Sequence, residues 1–487
     1  MNIAELISLH ARFRGARPAI VDVGEALTFA ELDDRVRRIS TVLAGEGIRA
    51  GDVVGASLID GIDLPAVWLA VARLGAINLP MDWRWTAAEQ ERIGRIFKPK
   101  LILAEAGRRV DASLPVLVHD DSWRRTVAAA PAMDRMAPGD DAIFILVLSS
   151  GTTGVPQGHA FTHRSYTAAL ATLWTDVGVG PDDRYLSVLP IAFAAGRGMA
   201  LATLFRGGTL HLMPPLFQAT EILAAIERHG IDTISVVPSI ARMLLAEVPA
   251  EGLLLPQLRL FVTVGAMLFP EENRAIRTRL TPNLVDYYGS AGGGMNTVMR
   301  PHEHELKPGS IGRPMLATEI EIVDEAARPL PIGETGILRV RSPTVTRGIY
   351  PPDPADRSFR DGWHYPGDYA YIDEDGYVFL QGRWNDVIIR GGMNVFAPEV
   401  ERVLLTCPGV REAAVLGMKS VLLGEEVAAF VVTDGATDEA AILRHCRASL
   451  AAYKVPSVIR TADRLPRNNA GKVIKATLTE WLAGASR

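Results

Sequence analysis

The sequence predicts an α/β fold: a large N-terminal domain of layered α/β subdomains plus a small β-barrel-like sheet, followed by a small mobile C-terminal α/β domain. Three observations support this prediction. The 487 residues exceed the size that one hydrophobic core usually supports. Short apolar runs alternate with helical stretches through most of the chain, which is typical of strands and helices packed in layers. Near residue 320 this alternation gives way to short strands separated by Gly, Pro and Asp turns.

The elements of the N-terminal region follow from its hydrophobic periodicity. Residues 1–18 mix spaced apolar positions with charged ones, which indicates an amphipathic helix. Residues 27–32 enter a second helix that ends near Gly47. The pattern then predicts a strand at 53–58, a helix at 64–74, and strands at 142–148, 186–189, 208–213, 233–237 and 260–264.

The last third of the chain changes character. Residues 320–379 predict an antiparallel sheet or small barrel, and the roughly 100 residues at the C-terminus suffice for a domain of their own. We therefore expect an N-terminal domain at 1–382, a hinge at 383–387 and a C-terminal domain at 388–487. A rigid hairpin turn at residues 383–387 is the alternative.

Composition excludes several classes of protein. The net charge of −5 gives no electrostatic reason to bind nucleic acid or an anionic membrane surface. Cys407 and Cys446 are the only cysteines of the sequence, so a disulfide framework is not expected and a reducing compartment fits. No stretch resembles a signal peptide or reaches the ~18–20 apolar residues of a membrane span. We expect a cytoplasmic protein.

The segment at 149–158, SSGTTGVPQG, carries the first functional signal. It follows the predicted strand at 142–148 and precedes a helical pattern. A strand that ends in hydroxyls and glycines is suited to wrap an anion, because glycine lets backbone N–H groups point inward. The spacing matches neither the Walker A loop nor the G-x-G-x-x-G motif.

The segment resembles the phosphate loop of the adenylate-forming (AMP-binding) superfamily, in its branch of acyl-CoA synthetases and AMP-dependent ligases. Further segments extend the resemblance in the family's order and spacing. They are YG at 288–289, GSIGRP at 309–314, GETG at 333–336, WHYPGD at 363–368, GR at 382–383, GG at 391–392 and PRNNAGK at 466–472.

This resemblance implies that Lys472 is the catalytic residue. Adenylation joins a carboxylate oxygen to the α-phosphorus of ATP, so two anions must approach each other. A fixed ammonium offsets their repulsion and stabilises the charge that develops on the phosphorus oxygens. Without the motif around it, Lys472 would be interpreted as a solvated surface residue.

The resemblance also implies a nucleotide site. Asp368 matches the carboxylate that accepts both ribose hydroxyls, and Arg383 matches the residue that donates to the same sugar. The adenine and ribose positions are completed by Gly265, Ala266, Asp286, Tyr287, Tyr288 and Gly289. The phosphate positions are Ser149, Ser150, Gly151, Thr152, Thr153, Gly154 and Gln157. Asn385 matches the hinge, and Gly391 and Gly392 match the turn that faces the CoA channel. The structural alternatives are a turn-capping aspartate, a surface ion pair and core tyrosines.

Three sites depart from the family's pattern. Gln157 stands where lysine is usual, Ala291-Gly292 where Thr-Glu is usual, and Phe193 where a histidine is usual. Gly292 removes an expected Mg²⁺ ligand, and we predict no metal site formed by protein groups alone. Mg²⁺ tolerates this loss because it keeps several waters and binds mainly through substrate phosphates. We expect weaker binding of ATP and Mg²⁺, with the chemistry retained.

The same departures shape the expected acid pocket, which we assign to Phe193, Val237, Gly292 and Gly293. Apolar side chains and missing side-chain volume predict an apolar and enlarged pocket. Arg197 could indicate a dicarboxylate substrate, but we interpret it as a surface or pocket-rim residue.

The function implied is ATP-dependent activation of a mainly apolar acid, aliphatic or aromatic, with transfer of the acyl group to CoA. One alternative is an adenylating ligase in which a carrier-protein thiol or an amine replaces CoA as the acceptor, or an unusual oxyacid replaces the carboxylic acid. The other is a nucleotide-binding relative with reduced turnover. Expected ligands are a small carboxylic acid, ATP, Mg²⁺ and CoA, and a homodimer is left open.

Overall fold

Helices and strands alternate through most of the chain, and the α/β fold class is confirmed. The computed structural model describes residues 1–107, 115–149, 156–249, 251–354, 356–383, 386–390, 393–420, 422–435, 437–468 and 472–484. They form two units, Met1–Ile320 with Val340–Pro366 and Glu321–Arg339 with Gly367–Arg487. Residues 367–382 thus belong to the second unit, while the hinge at 383–387 stays a prediction.

The helices are α1 (Glu5–Arg14), α2 (Phe29–Gly45), α3 (Asp63–Arg73), α4 (Ala87–Phe97), α5 (Asp121–Ala129), α6 (His163–Thr172), α7 (Ala194–Arg206), α8 (Ala219–His229), α9 (Pro238–Leu245), α10 (Pro270–Ala275), α11 (Ala397–Leu405), α12 (Glu439–Ser449) and α13 (Lys475–Gly484). The described residues also include π-helical turns at Leu173–Val177 and Ile276–Leu280 and a 3₁₀ turn at Ala452–Lys454. Local chemistry sets several helix starts. Thr28 and Glu31, for example, form a capping box at the start of α2.

The strands of the N-terminal half are β1 (Pro18–Asp22), β2 (Glu25–Thr28), β3 (Val53–Ser57), β4 (Ile77–Pro80), β5 (Leu101–Glu105), β6 (Val116–His119), β7 (Ile143–Ser149), β8 (Gln157–Thr162), β9 (Arg184–Ser187), β10 (Thr209–Leu212), β11 (Thr233–Val236) and β12 (Leu260–Thr263). The remaining strands are β13 (Leu284–Ser290), β14 (Gly294–Met299), β15 (Arg313–Pro314), β16 (Glu319–Val323), β17 (Gly336–Arg341), β18 (Ile349–Tyr350), β19 (Phe359–Arg360), β20 (Trp363–His364), β21 (Asp368–Ile372), β22 (Val378–Arg383), β23 (Val387–Arg390), β24 (Met393–Phe396), β25 (Val410–Ser420), β26 (Gly424–Thr433) and β27 (Val458–Thr461).

Two large sheets organise the first unit. In the described residues one has the order β15-β14-β13-β12-β11-β9-β10-β1-β2, and the other β18-β8-β7-β4-β3-β5-β6. Both have a parallel centre with antiparallel pairs at one or both ends. One hydrophobic core contains residues of both sheets together with α3 and α7, whose apolar residues are buried around the helix. Helices that are apolar on all sides pack inside a core.

The second unit contains its own sheet, with β24, β23, β26 and β25 in order and β27 parallel to β26. Helix α11 packs its buried residues Val400 and Leu404 into this unit's core. The pair β21–β22 also lies in the second unit and aligns Asp368 with Arg383. The small C-terminal α/β fold therefore matches the sequence prediction.

Candidate active site

Four parallel neighbours, β9, β11, β12 and β13, end at one edge of the larger sheet. In such sheets ligands bind beyond the carboxyl ends of the strands. Here β9 leads into residues 189–193, which we call the acid loop, while Val237 follows β11 and Gly265 follows β12. A Cβ built on Gly265, whose φ is +88°, would lie 3.5 Å from Cγ1 of Val237. The topology thus brings these predicted positions together, and Ala266 is exposed beside them.

Strand β13 presents Asp286 at the same edge. Its Oδ1 accepts a hydrogen bond of 2.8 Å from the hydroxyl of Thr263. Burial raises the pKa of Asp286 to about 7, although this hydrogen bond opposes the shift. Strand alternation separates the next two residues: Tyr287 is buried in the hydrophobic core, whereas Tyr288 is half-buried. The place of Tyr287 agrees with the alternative of a core tyrosine, and the adenine-site assignment of both residues stays a prediction.

The two ends of the predicted phosphate loop lie in the antiparallel strands β7 and β8. Ser149 is the strand partner of Gln157, and its Oγ lies 3.0 Å from Nε2 of His159. His159 is 5% exposed, and burial lowers its pKa to about 4, so the ring is neutral near pH 7. The predicted positions Ser150, Gly151, Thr152, Thr153 and Gly154 lie outside the described residues, as do Asn385, Gly391 and Gly392.

Gly292 and Gly293 lie in the turn between β13 and β14. A Cβ on Gly292 would come within 2.8 Å of Nδ1 of His159, 2.8 Å of Cε1 of His364 and 2.9 Å of Cζ of Phe359. The carbonyl of Gly292 accepts a hydrogen bond of 2.9 Å from the backbone N–H of Thr346. The space freed by the missing side chain is therefore filled by aromatic side chains of this chain. The structure thus corrects the expectation of an enlarged space at Gly292.

The neighbouring glycines are crowded as well. A Cβ on Gly293 would contact the Ser290 hydroxyl and lie 2.9 Å from Cδ2 of His364. A Cβ on Gly289 would lie 2.5 Å from the carbonyl oxygen of Gly294. The hairpin thus requires glycine at these positions. The assignment of Gly292 and Gly293 to the acid pocket stays a prediction.

Asp368 and Arg383 face each other across β21 and β22. The Nε of Arg383 donates to Oδ1 of Asp368 at 2.9 Å. Asp368 is 5% exposed, whereas the Arg383 side chain is 56% exposed. The ion pair brings the two residues together, and it equally fits the surface ion pair that was the structural alternative for Arg383. Their role at the ribose stays a prediction.

Lys472 belongs to the same unit as this pair. Its N–H donates to Oδ1 of Asn468 at 3.0 Å, and its carbonyl accepts from the Asn468 N–H at 2.8 Å. The residue is exposed as a whole, but burial of its ammonium and the nearby charge of Arg383 lower its pKa, while Asp368 acts in the opposite direction. The ammonium therefore lies within the electrostatic field of the Asp368–Arg383 pair.

The acid loop places Phe193 directly before α7. Phe193 is half-buried, and the guanidinium carbon of Arg84 lies 6.0 Å from its ring centroid. Arg197, in contrast, is 1% exposed. The interpretation of Arg197 as a surface or pocket-rim residue is wrong, because its side chain packs inside the core and donates to the carbonyl of Ala192 at 2.6 Å.

The comparison with known families agrees with this geometry. A model described as AMP-binding enzyme matches residues 8–350, more than half of the chain. A second model, described as AMP-binding enzyme C-terminal domain, matches residues 399–472. The chain belongs to the AMP-binding enzyme family.

Similar proteins define the branch of this AMP-binding enzyme. Sulfoacetate–CoA ligase from Cupriavidus necator is 31% identical, covering 98% of this chain and 97% of the relative. Feruloyl-CoA synthase from Amycolatopsis sp is 32% identical, covering 96% of each chain. The crystal structure of ATP-bound MatB from Rhodopseudomonas palustris is 29% identical, with a TM-score of 0.90 and 100% of both chains covered. The protein is an AMP-forming acid–thiol ligase that uses ATP and CoA.

Two further observations concern metal-binding groups and membrane-spanning helices. Among the described residues no three His, Cys, Asp or Glu side chains are grouped to hold a metal ion. None of the described helices combines the length and apolar character needed to cross a membrane.

Sequence reasoning missed two residues that the structure brings to the enzyme's predicted sites. Asp60 contacts the acid loop, and His159 contacts Ser149. Asp60 had a usable signal, because a carboxylate just beyond the buried strand β3 is placed where α/β sheets bind ligands. His159 had a weaker signal, as the one ionisable residue of the largely buried strand β8.

Proposed function

We propose that this enzyme converts a mainly apolar carboxylic acid to its acyl-adenylate and then to its CoA thioester. The grouping of Lys472 with Asp368 and Arg383 in one unit is the observation that carries the proposal. If Asp368 accepts the ribose hydroxyls, the ammonium of Lys472, which lies within the field of the Asp368–Arg383 pair, is suited to act on the same nucleotide.

The proposed reaction has two displacement steps. In the first, an oxygen of the carboxylate bonds to the α-phosphorus of ATP, the bond to the β-phosphate breaks, and pyrophosphate leaves. In the second, the thiolate of CoA bonds to the acyl carbon, the carbon–oxygen bond to AMP breaks, and AMP leaves. Lys472 offsets the charge that builds up on the phosphate oxygens in the first step, an effect typically worth ~10²–10³ in rate.

The apolar character of the proposed acid rests on Phe193 and Val237. Both are half-buried side chains that follow parallel strands of one sheet. Phe193 replaces the histidine usual in the family, so the acid loop offers an apolar ring where an imidazole would be polar. An apolar acid loses less hydration here than a polar one would.

Polyphosphate binding is proposed to depend less on the protein than in relatives that carry lysine and glutamate at positions 157 and 292. The amide of Gln157 donates hydrogen bonds without a charge. Mg²⁺ is proposed to bind through the phosphates and waters, as this ion prefers. Between the two steps, residues 388–487 are proposed to rotate about a hinge at Asn385.

A pyrophosphate-release assay with a panel of acids tests the proposal. The panel comprises short, medium and long aliphatic acids, aryl acrylic acids and a sulfonated short acid. This range is needed because the names of the relatives point to acids as different as ferulate and sulfoacetate. Apolar acids should give release at micromolar to millimolar KM and a CoA thioester detectable by mass spectrometry. Release with an amine or carrier thiol but not with CoA would favour another acceptor. Activity only with the sulfonated acid would contradict the apolar pocket.

A further inference from the structure

The acid loop is held from two sides by charged groups, those of the half-buried Asp60 and the buried Arg197. Oδ2 of Asp60 accepts a hydrogen bond of 2.9 Å from the backbone N–H of Ile191. The guanidinium of Arg197 donates to the carbonyl of Ala192 at 2.6 Å and more weakly to that of Ile191 at 3.4 Å. Consecutive peptide groups just before Phe193 are therefore fixed by a carboxylate and a guanidinium.

Arg197 is an unusual residue for its place in the fold. It is 1% exposed within α7, whose neighbouring residues Met199, Ala200 and Leu201 are apolar core residues. Its Nε has no hydrogen-bond partner among the described residues. A buried charge without a carboxylate partner is costly, and an apolar residue would fill the same space more stably. Packing alone therefore does not explain an arginine here.

Asp60 shows the same cost on the other side of the loop. Its Oδ1 is buried and has no hydrogen-bond partner within the described residues. Burial raises the pKa of Asp60 to about 6, while the Ile191 N–H and the charge of Arg84 act against the shift and the nearby Asp82 and Asp22 add to it. A carboxylate in this position loses hydration, which costs free energy. The loop contact that the carboxylate makes must compensate for that cost.

The loop and the helix start are also in close backbone contact. A Cβ on Gly196 would lie 2.6 Å from the carbonyl oxygens of both Leu189 and Pro190. The N–H of Arg197 donates to the carbonyl of Phe193 at 3.0 Å, which fixes Phe193 as the residue that precedes α7. A shift of the loop peptides would therefore move the Phe193 ring.

We propose that Asp60 and Arg197 are positioning residues for acid specificity, because together they fix the acid loop and thereby the place of Phe193 in the acid pocket. This inference rests on the proposed function, in which Phe193 lines that pocket. Neither residue is proposed to touch the reacting atoms.

The test compares Asp60→Ala with Asp60→Asn. The alanine variant loses the acceptor for the Ile191 N–H, whereas asparagine keeps a neutral one. We expect Asp60→Ala to raise KM for the acid about tenfold, in line with the loss of a hydrogen bond to a charged group, with KM for ATP unchanged. Asp60→Asn should restore most of the affinity. Arg197→Met should raise KM for the acid in the same way.

Asp183→Ala is the matched control. Like Asp60, Asp183 accepts a hydrogen bond from a backbone N–H, that of Gly180 at 2.8 Å. Asp183 is buried and precedes β9, at the opposite end of that strand from the acid loop. The control should lower stability without changing the ratio of the two KM values. If Asp183→Ala shifts the acid KM as Asp60→Ala does, the effect is general destabilisation and the proposal fails.

Amide hydrogen exchange of the peptide that contains residues 189–196 gives a readout that needs no substrate. Exchange should become faster in Asp60→Ala and stay near the wild-type rate in Asp60→Asn and Asp183→Ala. Unchanged exchange in Asp60→Ala would overturn the positioning role. Faster exchange with an unchanged acid KM would overturn the role in specificity. If the wild-type enzyme adenylates no acid at all, the proposed function fails, and the exchange result alone decides whether Asp60 holds the loop.

Discussion

Restoring a side chain at Gly292 should damage the fold before it improves metal binding. A Cβ at this position lies 2.8–2.9 Å from three aromatic side chains, about 0.5–0.6 Å short of ordinary contact at 3.4 Å. The backbone cannot easily yield, because the Gly292 carbonyl is bonded to both the N–H and the hydroxyl of Thr346. Overpacking of this kind typically costs ~1–3 kcal/mol. We therefore expect Gly292→Ala to lower the free energy of unfolding by about that amount.

Gly292→Glu should be worse, since it adds a carboxylate to a buried aromatic cluster. Denaturant unfolding measures the stability, and calorimetry with ATP and Mg²⁺ measures binding. Gly45→Ala is the matched control, because nothing lies within 4 Å of its added Cβ. The double change Gly292→Ala with His159→Ala should lose less stability than the two single changes added together, because removing the imidazole makes room. The expected crowding would be refuted if Gly292→Ala were as stable as the wild type. It would also be refuted if Gly292→Glu bound Mg²⁺ more tightly without losing stability.

Three further predictions concern binding and stability. Asp368→Ala should weaken ATP about tenfold or more, because charge-assisted hydrogen bonds contribute ~1.5–3 kcal/mol each; calorimetry on a folded variant checks it. Gln157→Lys should lower KM for ATP by adding a cation near the phosphates, with Gln157→Met as the uncharged control. Burial alone would lower the pKa of His119, but hydrogen bonds to Asp63 and Glu105 raise it to about 9. Because this folded pKa exceeds the unfolded value of about 6.5, the stabilisation is complete below pH ~6.5 and is lost as the pH rises through about 9. The wild-type denaturation midpoint should thus fall between pH 7 and 9.5 more than that of His119→Asn.

Much of the fold follows from local sequence. The predicted helix at 64–74 and strand at 260–264 correspond to α3 at Asp63–Arg73 and β12 at Leu260–Thr263. Periodicity sets these elements, and their ends differ by a residue because hydrogen bonding, not hydrophobicity, sets the termini. The motifs that carry Asp368 and Arg383 were recognisable in the sequence, whereas the ion pair between the two residues follows from the register of β21 and β22.

The crowding around Gly292 was not predictable in the same way. His159 precedes it by more than a hundred residues and His364 follows it by about seventy, so no local pattern links the three. Missing side-chain volume in a sequence does not reveal which neighbour takes the space. Arg197 failed for a related reason: a charged residue predicts exposure, and only the tertiary packing of α7 shows that it is buried.

The central claim is that Lys472 acts in adenylation and not in thioester formation. The most direct measurement is a comparison of the two half-reactions in Lys472→Ala, with Lys475→Ala as a nearby control whose ammonium pairs with Asp386 at 3.0 Å. Pyrophosphate release from ATP and the acid should fall ~10²–10³-fold in Lys472→Ala. Conversion of a synthetic acyl-adenylate to the CoA thioester should stay close to the wild-type rate. An equal loss in both half-reactions, or an undiminished rate of pyrophosphate release, would contradict the account.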